Sequence, residues 1–384
     1  MTVAERTPAT PLPGLLLTLR TETAAKGDDA AEVTFETQEG LIQPDLTIGA
    51  DLDSARPLKA LENLSSPGVK LHGQGFVLTA EKARFLGLGS IEGLDTYIRP
   101  YFSGKDFTER NRKQFVIDLF GLSSEQVLNY FPTVYQHLLE QVKPERDAKG
   151  QTKDGAGYAK LWWLFGKPRQ DLRPALQAIR RYIATVVTAK HRVFQFLDKD
   201  ILAEDALIVI ASEDAYHLGV LSSRFHVVWA LAVGAILGVG ATPRYRKSRT
   251  FDPFPFPEAT AEQQARIREL AEQLDAHRKR QQAAHPTLTL TDLYNVVEKL
   301  RAGQPLATPK DQTVNQQGLA SVVLSLHQQL DAAVAAAYNW PPALPEAEPA
   351  GPPRGPQPRP RPGGKSRPRP LPAPRLPGPR AAAA

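Results

Sequence analysis

The sequence predicts an α+β fold: a mixed β-sheet region, then a C-terminal helical region, then a disordered Pro/Arg-rich tail. Three observations predict it. Short runs of β-branched, aromatic or alternating residues recur through the first 258 positions. From residue 260 to 338 the apolar positions repeat at helical spacing behind a capping signal. Beyond Trp340 no periodicity survives, and proline, arginine, glycine and alanine dominate.

Residues 14–21 (GLLLTLRT) and 31–37 (AEVTFET) read as strands, the second alternating Val33 and Phe35 against Glu32, Thr34 and Glu36. Residues 45–53 and 73–79 are further short strand candidates, and 79–86 a short helix. Residues 97–102 and 114–119 predict strands flanking a loop at Ser103-Gly-Lys-Asp-Phe107. Residues 123–141 predict one helix through Val127, Tyr130, Val134, Leu138 and Leu139, and 148–157 a polar loop. A helix over 173–181 precedes strands at 182–187, 193–197 and 207–212.

Residues 225–243 carry no charged side chain. That length approaches a bilayer crossing, but His226 and the break at Gly238-Val-Gly240 favour a buried helix ending in a glycine turn. A basic run, 244–249, follows, then Phe251-Asp-Pro-Phe-Pro-Phe-Pro257, whose prolines predict a rigid extended segment anchored by three rings. Thr260-Ala-Glu-Gln263 starts a helix through Ile267, Leu270, Ala271 and Leu274; 291–300 and 318–338 repeat that pattern.

The 384 residues carry a net charge of +6, all of it within the 44 residues after Trp340. Residues 1–340 hold 39 basic and 39 acidic groups. A nucleic-acid argument must therefore rest on local patches. The absence of cysteine excludes disulfides, thiolate metal sites and a cysteine nucleophile, and fits a reducing cytoplasm. No secretory signal is visible. No phosphate-binding loop, His-Glu-x-x-His metal motif, nucleophile elbow or Pro-Pro-aromatic methyltransferase motif occurs. Catalytic, cofactor-binding and metal-binding residues are accordingly assigned to none of the chain.

A series of strings carries a family resemblance. They are Trp162-Trp163 with Phe165-Gly-Lys-Pro-Arg169, Arg181-Tyr-Ile-Ala-Thr185, Ala189-Lys-His-Arg-Val-Phe194 and Leu218-Gly-Val-Leu-Ser-Ser223. His226 with Trp229, Arg244-Tyr-Arg-Lys-Ser248, the 251–257 segment and 289–301 complete the series. In this order they resemble the C-terminal half of the MmeI-like (type IIL) restriction–modification DNA methyltransferases, over about residues 10–340. The resemblance implies a remnant of the methyltransferase domain (1–85), a DNA target recognition domain (86–258) and a helical region (259–340), with 341–384 as the tail. It implies an adenine-N6 methyltransferase or restriction–modification enzyme truncated before its cofactor-binding and catalytic motifs. S-adenosylmethionine is then the cofactor of the intact family and not of this chain. The implied partners are double-stranded DNA and a separate chain carrying the catalytic domain, with no membrane. The departure after Trp340 is what a frameshift in GC-rich coding sequence would produce. The alternatives are a non-enzymatic helical or Pro-rich interaction scaffold and an inactive gene fragment.

DNA readers need cations for phosphates and groups that reach base edges. Arg244, Arg246, Lys247 and Arg249, interleaved with Thr242, Tyr245 and Ser248, supply both. The family's base-reading strip lies just before the aromatic/proline signature, which makes Thr242 and Arg244 the base contacts. A solvated basic turn is the bland alternative. Lys105 and Arg112, with Arg110 and Lys113 nearby, are phosphate candidates or plain loop cations. Lys190 and Arg192 flank His191 in what is either a hydrogen-bonded turn or a DNA contact. Trp162 and Trp163 stack on bases or fill a core, and His226 reads as a core histidine.

Overall fold

The computed structural model describes residues 14–22, 33–40, 55–237 and 242–340. The strand candidate at 45–53 and the tail from 341 lie outside the described residues. β1 (Gly14–Glu22) and β2 (Val33–Gly40) pair antiparallel. β3 (Ser65–Pro67) and β4 (Val77–Leu78) are short. The strand expected over 73–79 survives only as β4, because Gln74–Phe76 forms a 3-10 turn that buries Phe76. A Cβ on Gly75 would lie 2.7 Å from the Cβ of Gln141, so the chain turns where only glycine fits.

α1 (Ala80–Phe85) is capped by Thr79, whose hydroxyl accepts from Lys82 N–H. Then come β5 (Ile98–Phe102), α2 (Gly104–Thr108) and β6 (Gln114–Ile117). The expected loop at 103–107 is thus a helical turn. Ser103 and Asp106 form a capping box, with the Asp106 carboxylate accepting from Ser103 N–H at 2.9 Å. The helix expected over 123–141 is two, α3 (Ser124–Tyr130) and α4 (Pro132–Gln141). Pro132 pushes Phe131 out of helical geometry and then opens the second helix.

α5 (Lys143–Ala148) and α6 (Lys153–Lys160) replace most of the loop expected at 148–157. Buried Arg146 ties them inward, donating to Leu71 O at 2.8 Å and Tyr158 O at 3.1 Å. α7 (Arg173–Gln177) ends short of residue 181, and β7 (Arg181–Val186), β8 (Gln195–Asp198), β9 (Leu202–Ala203) and β10 (Leu207–Ile210) follow.

The single buried helix expected over 225–243 is corrected most. α8 (Ala215–Ser222) is followed by α9 (Arg224–Val233), which stops at Gly234. β11 (Ala235–Leu237) then pairs antiparallel with β12 (Thr242–Arg244). A Cβ on Gly234 would meet Ala230 O at 2.4 Å, so the chain can leave the helix tightly there. α10 (Lys247–Thr250) turns the basic run back. The helical region is α11 (Ala261–Ala284), α12 (Leu290–Arg301), α13 (Pro309–Gly318) and α14 (Ala320–Ala337). The capping box Thr260/Gln263 forms as expected.

Two four-stranded sheets organise the described residues, in the orders β4-β6-β5-β9 and β3-β10-β7-β8. The second is antiparallel throughout; the first contains one parallel pair, β5 with β9. Period-2 alternation explains the apolar run Leu207-Ile-Val-Ile210. Leu207 and Val209 join the core shared with α11, α12 and α14, while Ile208 and Ile210 join the opposite core with Leu218, Leu221, Tyr245 and Phe251. The sheet is buried on both faces. A third core holds Phe76, Leu78 and Ala83 with Ile98, Val116, Val134 and Trp162, so residues on both sides of position 85 pack together. No helix among the described residues is long and apolar enough to cross a membrane.

Arg278, 1% exposed, locks the helices to the sheet. It donates to Phe194 O at 2.7 Å, before β8, and to Tyr294 Oη at 2.9 Å on α12. Tyr294 Oη meets His327 Nε2 of α14 at 2.9 Å, and Asp275 lies 3.4 Å from Arg278. Removing one partner of a buried ion pair costs about 3–5 kcal/mol. Arg278→Ala is therefore expected to lower unfolding free energy by about that amount in urea titrations. Tyr294→Phe, which deletes one hydroxyl, should cost about 1–3 kcal/mol.

Candidate nucleic-acid interface

The basic strip is held by backbone pairing and one buried ring. Val187 N–H donates to Ala206 O at 2.8 Å, and Tyr245 N–H donates to Val187 O at 2.7 Å. Val187 thus bonds to both residue 206 and residue 245, and β12 runs beside residues 187–189, past the end of β7. Thr188 and Arg244 form an antiparallel bridge. Tyr245 is 1% exposed, its ring edge-on to Phe194 and its hydroxyl 2.9 Å from His226 Nε2. With Tyr245 inward, extended geometry turns Arg244 and Arg246 to the other face. Arg244 is half-buried and Arg246 exposed. Phe251 and Phe254 are buried and Phe256 half-buried, so the aromatic/proline segment anchors the strip's far end.

Arg244 opens onto a cleft of about 590 Å³ together with Lys105, Arg112, Thr188, Glu204 and Asp205. Residues from four separate stretches of sequence thus meet. Arg244 Nε is buried without a hydrogen-bond partner, and Lys105 is exposed on α2. Thr242 is half-buried on β12, paired in register with Leu237. Thr108, Val186 and Thr188 also line a smaller cleft, of about 130 Å³, that reaches Lys190 and His191.

Other candidates bond within the protein. Arg112 donates through Nη2 to Ser103 Oγ at 2.6 Å and to the Asp106 carboxylate at 3.0 Å. Burial pushes the Asp106 carboxyl up, but hydrogen bonds from Arg112 and Ser103 outweigh it and hold the group below its usual range. Lys247 Nζ pairs with Asp252 at 2.7 Å, and Asp252 also accepts from Ser65 Oγ. Arg192 donates to Thr185 Oγ1 and Val186 O and lies 4.9 Å from the Tyr245 ring centroid; burial pulls it down to about 10. Lys190 Nζ donates to Asn295 Oδ1 at 2.6 Å, and His191 Nε2 meets the same oxygen at 2.9 Å. Arg249 is exposed on α10. Arg246, Lys247 and Arg249 do not line the Arg244 cleft. Trp162 is core, and Trp163 donates its indole N–H to Leu122 O.

Residues 52–258, more than half of the chain, match the family described as "MmeI, target recognition domain". The chain belongs to that family. No curated protein matches it. Among solved structures, the Type IIL restriction–modification enzyme MmeI in complex with DNA is similar at 20% identity and a TM-score of 0.58. The likeness covers 80% of this chain but only 37% of that one, and at this identity it is a likeness of fold. The MmeI-family match ends at residue 258, where the aromatic/proline segment gives way to the helical region.

Sequence reasoning missed the Glu204–Asp205 turn and Thr188, which complete the cleft. Neither carries a motif; only the pairing of 187 with 206 and of 188 with 244 brings them to the strip. No group of three metal-ligating side chains occurs among the described residues.

His226 reports on the integrity of the strip. Burial, with Arg192 nearby, lowers its pKa to about 3. The unfolded chain takes up this proton below about pH 6.5 and the folded chain does not, so stability falls as pH drops from 6.5 towards 3. Each such histidine contributes about 1 kcal/mol of loss between pH 7 and 5.5. His226→Gln is expected to remove that increment when urea midpoints at the two pH values are compared. An unchanged pH difference would contradict the assignment.

Proposed function

We propose that this chain reads a short sequence in double-stranded DNA, with Arg244 as the principal base contact. The observation that carries the reading is the cleft. Arg244 stands on a strand fixed by Tyr245 and by pairing to residues 187–189, and other cations converge on the same opening. Fixed donors above a rigid base are what sequence readout needs. The MmeI structure similar to this fold is itself a complex with DNA.

In this reading Arg244 addresses guanine and Thr242 a neighbouring base edge, while Lys105, Lys190, Arg246 and Arg249 approach phosphates. Arg112, Arg192 and Lys247 act chiefly from within, holding the cleft and strip in shape. The reader is better placed at residues 52–258 than at 86–258, because residues 65–83 pack into its sheets and core and the family match begins at 52. Residues 259–340 support the sheet from behind, and only 1–51 stay with the methyltransferase domain. S-adenosylmethionine serves the intact family. Methyl transfer would require catalytic residues beyond those of residues 1–384, in the cytoplasm. The purified chain alone is expected to transfer no labelled methyl group to DNA, and measurable turnover would overturn that part of the reading.

DNA mobility shifts over a salt series test the main proposal. Binding should weaken steeply with salt and favour one sequence over its variants. Arg244→Ala should cost about 1–3 kcal/mol on the preferred site and relax one position. Lys105→Ala should weaken all sequences alike and reduce the salt slope by about one. Salt-insensitive or absent binding would favour the interaction-scaffold alternative.

A further inference from the structure

The cleft holds carboxylates as well as cations, and their pairing is unequal. Asp106 is bonded to Arg112, and Asp205 lies 3.4 Å from Lys70. Glu204 enters none of the ion pairs found among the described residues. It is half-buried, beside the backbone of Gly104. Burial first, and then Asp205 beside it, push its pKa up. A carboxylate in this position repels phosphate and gains little from its neighbours, so something else must account for it.

The backbone of Glu204 is clamped. Its N–H donates to Phe102 O at 2.9 Å, and it bridges Val69 on the other side. The approach is close: a Cβ on Gly68 would lie 2.2 Å from both Ala203 O and Glu204 O. The geometry relative to Arg244 follows from the pairing of 206, 187 and 245. Glu204 and Arg244 line the same opening. A major groove about 12 Å wide presents the edges of neighbouring base pairs together. Arginine matches the two acceptors of guanine, and a carboxylate matches the amino group of cytosine.

We infer that Glu204 is a second specificity-determining residue, accepting from the N4 amino group of a cytosine while Arg244 reads a guanine in the same or an adjacent base pair. This rests on the DNA reading proposed above. Its two carboxylate oxygens leave acceptor capacity for the base. The acceptor is preorganised by the Val69 and Phe102 pairings, whereas a merely structural carboxylate would need no opening onto the cleft.

The test is selection of binding sites from randomised duplex DNA by the full chain, comparing wild type, Glu204→Gln, Glu204→Ala and Arg244→Ala. Circular dichroism and urea midpoints confirm that each variant is folded. Wild type should select a site containing an invariant cytosine. Glu204→Gln should lose cytosine preference at that position by about 10-fold or more, and gain adenine, which glutamine pairs with through N6 and N7. Glu204→Ala should relax the same position without weakening binding to unrelated duplex. Arg244→Ala should relax a guanine within one base pair of it. If wild type selects a site and both Glu204 variants, folded, select the same site with the same cytosine preference, the inference is wrong while the DNA reading stands. If wild type selects no sequence, both are overturned.

Discussion

The two-sided burial of the β3-β10-β7-β8 sheet is the constraint on which the rest of the structure depends. A sheet covered on one face can solvate the other, and its strands then alternate; this one cannot. Helices α11, α12 and α14 cover one face, and α8, α9 and the strip with its phenylalanines cover the other. Arg278 joins α11 and α12 to the edge of the sheet beside β8, where its guanidinium has no access to water and must be met by protein groups. The helical region thereby fixes the orientation of the sheet that carries the cleft. It is distant in sequence from the basic strip yet packs against the same strands.

The same burial sets the strip. Tyr245 is held by a ring cluster, a histidine and a backbone bond to Val187, so its neighbours have little freedom to reorient. Arg192 illustrates how a cation in a basic sequence can be committed to structure. It fills the space under Tyr245 and bonds the backbone at the end of β7. Lys247 does likewise through Asp252 and Ser65, which tie α10 to β3. Cations alike in a linear reading thus divide into those that shape the surface and those that stand on it.

Much of this was legible in the sequence. Alternation located β2, β-branched and aromatic runs of strand length located β5, β6 and β7, and the capping box located the start of α11. The proline-spaced rings were anchors, as their spacing implied. Other features failed for identifiable reasons. An apolar run shows burial but not conformation, so 225–243 read as one helix although the chain reverses at Gly234 into a hairpin. Pro132 divided a helix that periodicity alone would have joined. α13 has too few apolar positions to announce itself, and β9, two residues long, exists only because β5 lies beside it. The cleft was legible on one wall, Arg244 and its neighbours. The other wall, Glu204 and Asp205, depends on the register between residues 187 and 206, and register is a tertiary property.

Charge explains why that second wall matters. The body of the chain is neutral, and the net +6 lies beyond Trp340. A long-range field cannot by itself give such a body a grip on a polyanion, because exposed charges more than about 10 Å apart are largely screened at ordinary ionic strength. In the DNA reading proposed above, discrimination then comes from short-range groups whose positions are fixed before contact. Arginine beside carboxylate supplies this: opposite charges in one cleft cancel at a distance and differ sharply at hydrogen-bonding range. A strip of cations alone would hold any duplex, whereas donors and acceptors at fixed positions favour one arrangement of base edges over others. In the proposed reading the acceptor wall costs phosphate affinity and contributes selectivity, which is how a neutral body can serve as a reader.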